Sequence, residues 1–540
     1  MSECGPESVY EAFLRSAEKW PENDFLAVPS MPGRGYHEAG ATFTYAQVRE
    51  QVGRYKERYA AAGYGPGHRV ALLLGQRPEF FFHYLALNGL GAGIVPVNPD
   101  YRHDEMLYQM DHSEADLAVV LEARADDMGR VVAARDVALP VVTFEEFPET
   151  PPLPARRATA VRPGPETECS LLYTSGTTGR PKGCILTNRY YLGAGRWYAE
   201  LGGVAAMHEG VERCYNPLPL YHMNCQGVSA TGMLLTGGCQ ILPDRFHPRR
   251  WWADLVETGA TIIHYLGVVP PLLLNQPVSE AEGRHQVRFG IGAGVEPELH
   301  APFEERFGFP LVEVWGMTET GRVFADNVEP RQITTRAFGR PFGGLEARVV
   351  DDADNELPPD SEGELVVREA GDDPRRGFFS GYLKNEAATE EAWKGGWFHT
   401  GDTVRQAADG MLYFVDRKKN IIRRSGENIA AAEIEACLQA HEAVAQVAVI
   451  AAPDEIREEE VFACLVAMPG TSADAALARA LFDWCYERLA YYKPPGWLLF
   501  VDSLPTTGTQ KVQKTEIFPV GEDPRQRAGI YDFRDLKKRS

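Results

Sequence analysis

Leu171-Leu-Tyr-Thr-Ser-Gly-Thr-Thr-Gly-Arg-Pro-Lys-Gly183 is a short apolar run that opens into a loop of glycines, hydroxyls and one lysine. Glycine lets backbone N–H groups approach an anion closely. Successive N–H groups in such a loop form a nest for phosphate. Thr174, Ser175, Thr177 and Thr178 add hydroxyl donors around Gly176 and Gly179, and Lys182 adds a charge. The stretch therefore reads as a grip on a nucleotide polyphosphate. It is not the G-x-x-x-x-G-K-[ST] loop, because Lys182 does not follow a glycine and is itself followed by Gly183. The bland alternative is a flexible surface linker. The apolar flanks Cys169-Ser-Leu-Leu-Tyr173 and Cys184-Ile-Leu-Thr187 argue against it.

T-S-G-T-T-G-x-P-K-G resembles the phosphate loop of the adenylate-forming superfamily, which holds acyl-CoA synthetases, luciferases and peptide-synthetase adenylation domains. Four further motifs follow in order. Glu313-Val-Trp-Gly-Met-Thr-Glu-Thr-Gly321 lies after a predicted strand, where open α/β sheets bind ligands. Trp315 offers a flat face for a purine, Thr318 a donor for a phosphate oxygen, and Glu319 a hard oxygen ligand for magnesium. The segment resembles the superfamily's Y-G-x-T-E, with tryptophan for tyrosine before Gly316. Stacking survives that change; a phenolic hydrogen bond does not. Gly396-Trp-Phe-His-Thr-Gly-Asp402 resembles the segment whose aspartate, here Asp402, takes the ribose hydroxyls. The resemblance also makes Arg417 a ribose contact, Lys419 the hinge, and Ser425-Gly426-Glu427 the path of the pantetheine arm. In Leu504-Pro-Thr-Thr-Gly-Thr-Gln-Lys-Val-Gln-Lys514, Lys511 matches the catalytic lysine, with Lys514 its nearby competitor and Gln510 where most relatives have glycine. Gly292-Ala293-Gly294-Val295 resembles the adenine-side G-G-A-P, without its proline.

Length and composition are those of a large soluble globular protein. At 540 residues the chain exceeds one core, since single cores stop growing near ~250–300 residues. A net charge of −21 excludes a general nucleic-acid binder. Nine scattered cysteines without zinc spacing read as free thiols in a reducing, cytoplasmic setting. No basic-then-apolar leader opens the chain, and no apolar run reaches the ~18 residues of a spanning helix. The basic end, 537–540, reads as a solvated tail.

Strand and helix patterns alternate from residue 43 onward: helices at 43–57, 78–90 and 104–112, strands at 69–74, 94–97 and 117–121. Residues 147–165 read as a surface connection. A second α/β pattern has strands at 240–242, 262–263, 287–291 and 311–314. Short strands at 345–350, 363–368 and 411–415 suggest a β-subdomain. From 418 an α+β unit follows, with helices at 430–440 and 475–489 and strands at 444–451 and 461–467. The expectation is an α/β fold: an N-terminal domain over 1–417 with two α/β layered subdomains and a β-subdomain, and a small mobile α+β domain over 418–540.

The resemblance implies an ATP-dependent acid–thiol ligase that uses Mg2+ and coenzyme A and forms an acyl-AMP. Its partners are then small molecules, with the protein a monomer or homodimer. A luciferase-like or carrier-protein-directed adenylate former and a non-catalytic nucleotide binder are the alternatives. An α-amino acid is disfavoured because His222 stands where amino-acid-activating relatives place an aspartate. By resemblance, Trp197, His222, Met223, His264, Tyr265, Val269, Gly292 and Gly294 line the acyl pocket. Trp197 and Tyr265 are rings that could stack on an aromatic or quaternary ammonium group, and core packing is the competing reading of both.

Overall fold

Thr44 opens the helix Tyr45–Ala61 through a reciprocal cap: its hydroxyl accepts the Gln47 N–H at 3.2 Å, and Gln47 Oε1 accepts the Thr44 N–H at 2.9 Å. The next helix, Glu79–Asn88, is buried on every side. That suits its near-continuous apolar sequence and leaves no polar stripe. The structure is a computed structural model that describes residues 5–174, 180–417, 421–505, 512, 514–519 and 522–539. Ser175, Gly176, Thr177, Thr178, Gly179, Lys419 and Lys511 lie outside the described residues.

The fold is α/β. It divides into one unit of residues 1–99, 110–172 and 183–416 and another of 100–109, 173–182 and 417–540. One seven-stranded sheet runs in the order Gly381–Tyr382, Lys182–Thr187, Glu168–Thr174, Gly93–Pro96, Arg69–Leu73, Leu117–Val120, Val141–Thr143. Its last five strands pair in parallel. An eight-stranded sheet has the parallel centre Leu311–Trp315, Phe289–Ala293, Ile262–Leu266, Arg213–Tyr215, Cys239–Ile241 and Asp24–Val28. Antiparallel strands Phe324–Ala325 and Ala41–Thr44 close its two edges. Buried on both faces, parallel strands read as short apolar runs, which is why most were legible in the sequence. A five-stranded sheet built on Leu345–Val350, Glu362–Glu369 and Phe398–Gln406 forms the β-subdomain.

In the other unit, Val444–Asp454 and Glu458–Ala467 form a long antiparallel pair, flanked by the helices Ala431–Gln439 and Ala475–Arg488. The chain end differs from its expected solvated state. Tyr531–Asp532 adds a strand beside Trp497–Phe500, Phe533 enters the core, and Lys537 is buried against Glu460. Glu460 lies among strands with no exposed side-chain surface, and Arg424 Nε also meets it at 2.6 Å. A carboxylate so deeply buried needs such partners.

Among the described residues no helix is long and apolar enough to cross a membrane. All eight described cysteines are free, and all but Cys437 are buried. Burial pushes the thiols of Cys169, Cys225, Cys239 and Cys464 up to about 12.

Candidate active site

The parallel strands Phe289–Ala293 and Leu311–Trp315 lie side by side, and the motifs Gly292–Val295 and Glu313–Gly321 both start within them and run past their ends. A Cβ on Gly292 would stand 2.3 Å from the Tyr265 carbonyl oxygen, so only glycine fits there. The backbone that follows is tied from below by Glu313. Its Oε2 accepts the Gly294 N–H at 2.8 Å, and its Oε1 accepts the Tyr265 hydroxyl at 2.9 Å. Glu313 stands in the acidic motif, yet no role was expected of it. Nothing in its residue type announces that it braces Gly294 and Val295, just past the neighbouring strand.

Burial pushes the Glu313 carboxyl up to about 7. His300 stands 3.8 Å from Glu313 and 3.9 Å from Glu304, which Arg331 also holds. An unfolded glutamate ionises near 4.5, so between about pH 4.5 and 7 the folded chain keeps a proton that the unfolded chain releases. Stability from this group is therefore full below about 4.5 and is lost as pH rises to 7. Glu313→Gln removes the effect. Against that variant, wild type is expected to lose on the order of 2–3 kcal/mol between about pH 5 and 7.5, read as the pH dependence of thermal unfolding. Parallel pH profiles would refute the assignment.

Trp315 is buried, and its indole stacks on Phe324 with ring centroids 5.5 Å apart and planes 19° from parallel. Its Nε1–H donates to Asp402 Oδ2 at 2.8 Å. Tryptophan thus costs the motif a phenol but supplies an N–H that joins it to the Thr-Gly-Asp segment. Trp315→Phe keeps the ring and removes that donor. It is expected to destabilise the protein by about 1–3 kcal/mol, because the buried Asp402 carboxylate loses a partner. It is also expected to raise the KM for ATP. Thermal unfolding and ATP kinetics check both, and unchanged values would show the bond to be inert.

Glu319 is buried, and its Oε1 accepts the Tyr382 hydroxyl at 2.8 Å. The Thr318 carbonyl accepts the Tyr190 hydroxyl at 2.5 Å. Neither tyrosine was singled out in the sequence. The signal available for Tyr382 is the turn 382–385 that follows the strand Gly381–Tyr382, in which Asn385 caps the helix Glu386–Ala392. Among the described residues no three acidic, histidine or cysteine side chains gather to hold a metal. One oriented carboxylate is the protein's usual share of a magnesium site whose other ligands are nucleotide phosphates and water. Glu319 fits that share.

In the glycine-loop motif, Thr174 ends the strand Glu168–Thr174 and Lys182 begins the adjacent strand Lys182–Thr187. Arg417 ends the strand Leu412–Arg417. Ser425 and Gly426, with φ of 49° and 90°, form a two-residue turn between Ile421–Arg424 and Glu427–Ala430. That is the backbone such tight hairpins require.

The residues expected around the acyl group separate. Trp197 and Met223 share one core with Ile262, whereas Tyr265 lies in another with Ile263 and Trp251. Neighbours on a strand face opposite sides of a sheet. Tyr265 is wholly buried with its hydroxyl on the Val312 carbonyl and Glu313, the carboxylate that also takes the Gly294 N–H. His222 is half-buried and its ring lies 4.6 Å from that of Tyr221.

The family described as AMP-binding enzyme matches residues 13–383, and its C-terminal domain matches 433–511. The chain belongs to the AMP-binding enzyme family. This AMP-binding enzyme is 31% identical to a sulfoacetate–CoA ligase of Cupriavidus necator, over 93% of this chain and 95% of that one. It is 29% identical to a crotonobetaine/carnitine–CoA ligase of Proteus mirabilis, over 88% and 93%. Its fold resembles o-succinylbenzoate CoA synthetase of Bacillus subtilis, with TM-score 0.79, 24% identity, and 94% and 98% of the two chains covered. An amide bond synthetase of Marinactinospora thermotolerans gives 0.78 at 24% identity, covering 94% and 99%. The enzyme is an AMP-forming acid–CoA ligase whose co-substrates are ATP and CoA and whose metal is Mg2+.

Proposed function

We propose that the enzyme divides the ligation between two groups of residues. A carboxylate oxygen of the acid attacks the α-phosphorus of ATP, and the bond to pyrophosphate breaks. The carboxylate is ionised at neutral pH, so no general base is needed. Positioning and charge stabilisation then carry the step. Trp315 and the Gly292–Gly294 backbone hold the purine, Asp402 and Arg417 the ribose, and the loop of Thr174–Lys182 the departing phosphates. Thr318 donates to phosphate oxygen, and Lys511 supplies positive charge. Glu319 would hold magnesium, which would supply further charge stabilisation. The CoA sulfur next attacks the acyl carbonyl, the bond to AMP breaks, and the thiol proton leaves to solvent. Ser425, Gly426 and Glu427 line the pantetheine path, with Lys419 as the hinge between the two half-reactions. The Trp315–Asp402 hydrogen bond carries this reading, because it fixes a purine platform to a ribose acceptor.

Trp197, His222 and Met223 are proposed to line the acyl pocket. The sulfoacetate and betaine acids named for the relatives suggest a short polar acid. The buried free thiols support a reducing, cytoplasmic setting, in which we place the protein as a monomer or homodimer. The test is AMP formation from a panel of aliphatic, aryl, dicarboxylic and betaine-type acids, with and without CoA. AMP release that depends on both acid and CoA is expected. Release indifferent to CoA would instead assign an adenylate former with another acceptor.

A further inference from the structure

His264 leaves the strand Ile262–Leu266 on the side of Ile262, opposite Tyr265. Its Nε2 lies 2.7 Å from the Tyr198 hydroxyl, and its Nδ1 lies 2.7 Å from the Asn224 amide oxygen. The orientations in this network fix one another. Asn216 Oδ1 accepts the Leu218 N–H at 2.9 Å, so Asn216 Nδ2 is the atom that faces Asn224 and Ser229. Asn224 therefore turns its oxygen to Asn216, and the same oxygen takes the His264 Nδ1–H. His264 is fully buried, and burial holds its ring neutral, which agrees with Nδ1 donating and Nε2 accepting from Tyr198.

With its oxygen used twice, Asn224 turns its NH2 group away from the network. Asn224 is half-buried, and that nitrogen has no acceptor among the described residues. Trp197 Nε1 is buried and likewise has no acceptor among them. Asn224 also begins a one-turn π-helix, Asn224–Ser229, an irregularity frequent at binding sites. This side of the enzyme thus offers two N–H donor groups, and none of Trp197, Tyr198, Asn216, Asn224, Ser229 and His264 bears a charge.

We infer that the acid activated here carries an oxygen acceptor at its far end, a sulfonate, a second carboxylate or a carbonyl, received by Asn224 Nδ2 and Trp197 Nε1. The inference rests on the proposed acyl pocket. An alkyl end leaves the buried Trp197 Nε1–H and the half-buried Asn224 NH2 unpaired, and a site built to hydrogen-bond rejects analogues that lack the group. A quaternary ammonium cannot accept from N–H groups and finds no carboxylate in this network.

The test uses the full-length enzyme and acid-dependent pyrophosphate exchange. The acids are matched in length and end in sulfonate, carboxylate, ketone, trimethylammonium, methyl or phenyl. An acceptor-bearing acid is expected to exceed the methyl, phenyl and trimethylammonium acids in kcat/KM by at least about 10-fold. Asn224→Asp keeps an oxygen for His264 and Asn216 but replaces the free NH2 with an acceptor. It is expected to erase that preference, and Trp197→Phe to reduce it. A methyl, phenyl or trimethylammonium acid ranking first, or equal losses for all acids in N224D, overturns the inference and leaves the ligase reading standing. Exchange with none of the acids overturns the ligase reading itself. If N224D does not fold, the wild-type ranking decides.

Discussion

Lys511→Ala is expected to lower acid-dependent pyrophosphate exchange by about 10²- to 10³-fold while leaving thioester formation from supplied acyl-AMP within a few-fold of wild type. Adenylation develops negative charge on the phosphates as pyrophosphate departs. A fixed ammonium favours that charge in the transition state more than in the ground state, which is the condition for acceleration. Thioester formation develops its charge elsewhere, on the acyl carbonyl and the departing AMP. The two half-reactions therefore separate the role of Lys511 from a general structural one. Equal losses in both steps would reject the assignment. Lys514 supplies an internal comparison: its ammonium is already paired with Glu435 at 2.7 Å, so Lys514→Ala is not expected to reproduce the loss.

Glu319→Gln carries the second large effect. The amide keeps the shape and can still accept the Tyr382 hydroxyl, so it removes charge while preserving packing. A loss of about 10²- to 10³-fold in adenylation is expected, with the magnesium concentration for half-maximal rate displaced upward. Tyr382→Phe leaves the carboxylate charged but loosens its orientation. Partners that orient a metal ligand are typically worth about 10- to 100-fold, so this variant is expected to be milder and to respond to added magnesium. A magnesium titration of exchange distinguishes the three proteins. An unchanged magnesium dependence in Glu319→Gln would remove that residue from the metal site.

The sequence was most readable where local rules govern. The pattern at 43–57 announced a helix, and the short apolar runs announced parallel strands. Trp315, Glu319 and Asp402 stand in motifs whose neighbours in sequence set the backbone. Tyr190, Glu313 and Tyr382 were missed because their work depends on contacts across the fold; Tyr382 meets Glu319 from 63 positions away. Tyr265 was misplaced although a cue was present. His264 and Tyr265 are adjacent on a strand, and the period of two forbids both from lining one pocket. Lys537 was misread because four polar residues at an end look solvated until Glu460 supplies a buried partner.

The cysteines have a practical consequence. Seven of the eight described thiols are shut inside the protein, and burial keeps those of Cys169, Cys225, Cys239 and Cys464 protonated at neutral pH. The substrate CoA, by contrast, presents its sulfur to solvent. A thiol-reactive chromophore added during turnover will therefore count CoA consumption against a low protein background. The same reagent added under denaturant will count the enzyme's own sulfurs as they emerge. One colour change thus serves two measurements, the rate of ligation and the fraction of chain unfolded, on a single sample.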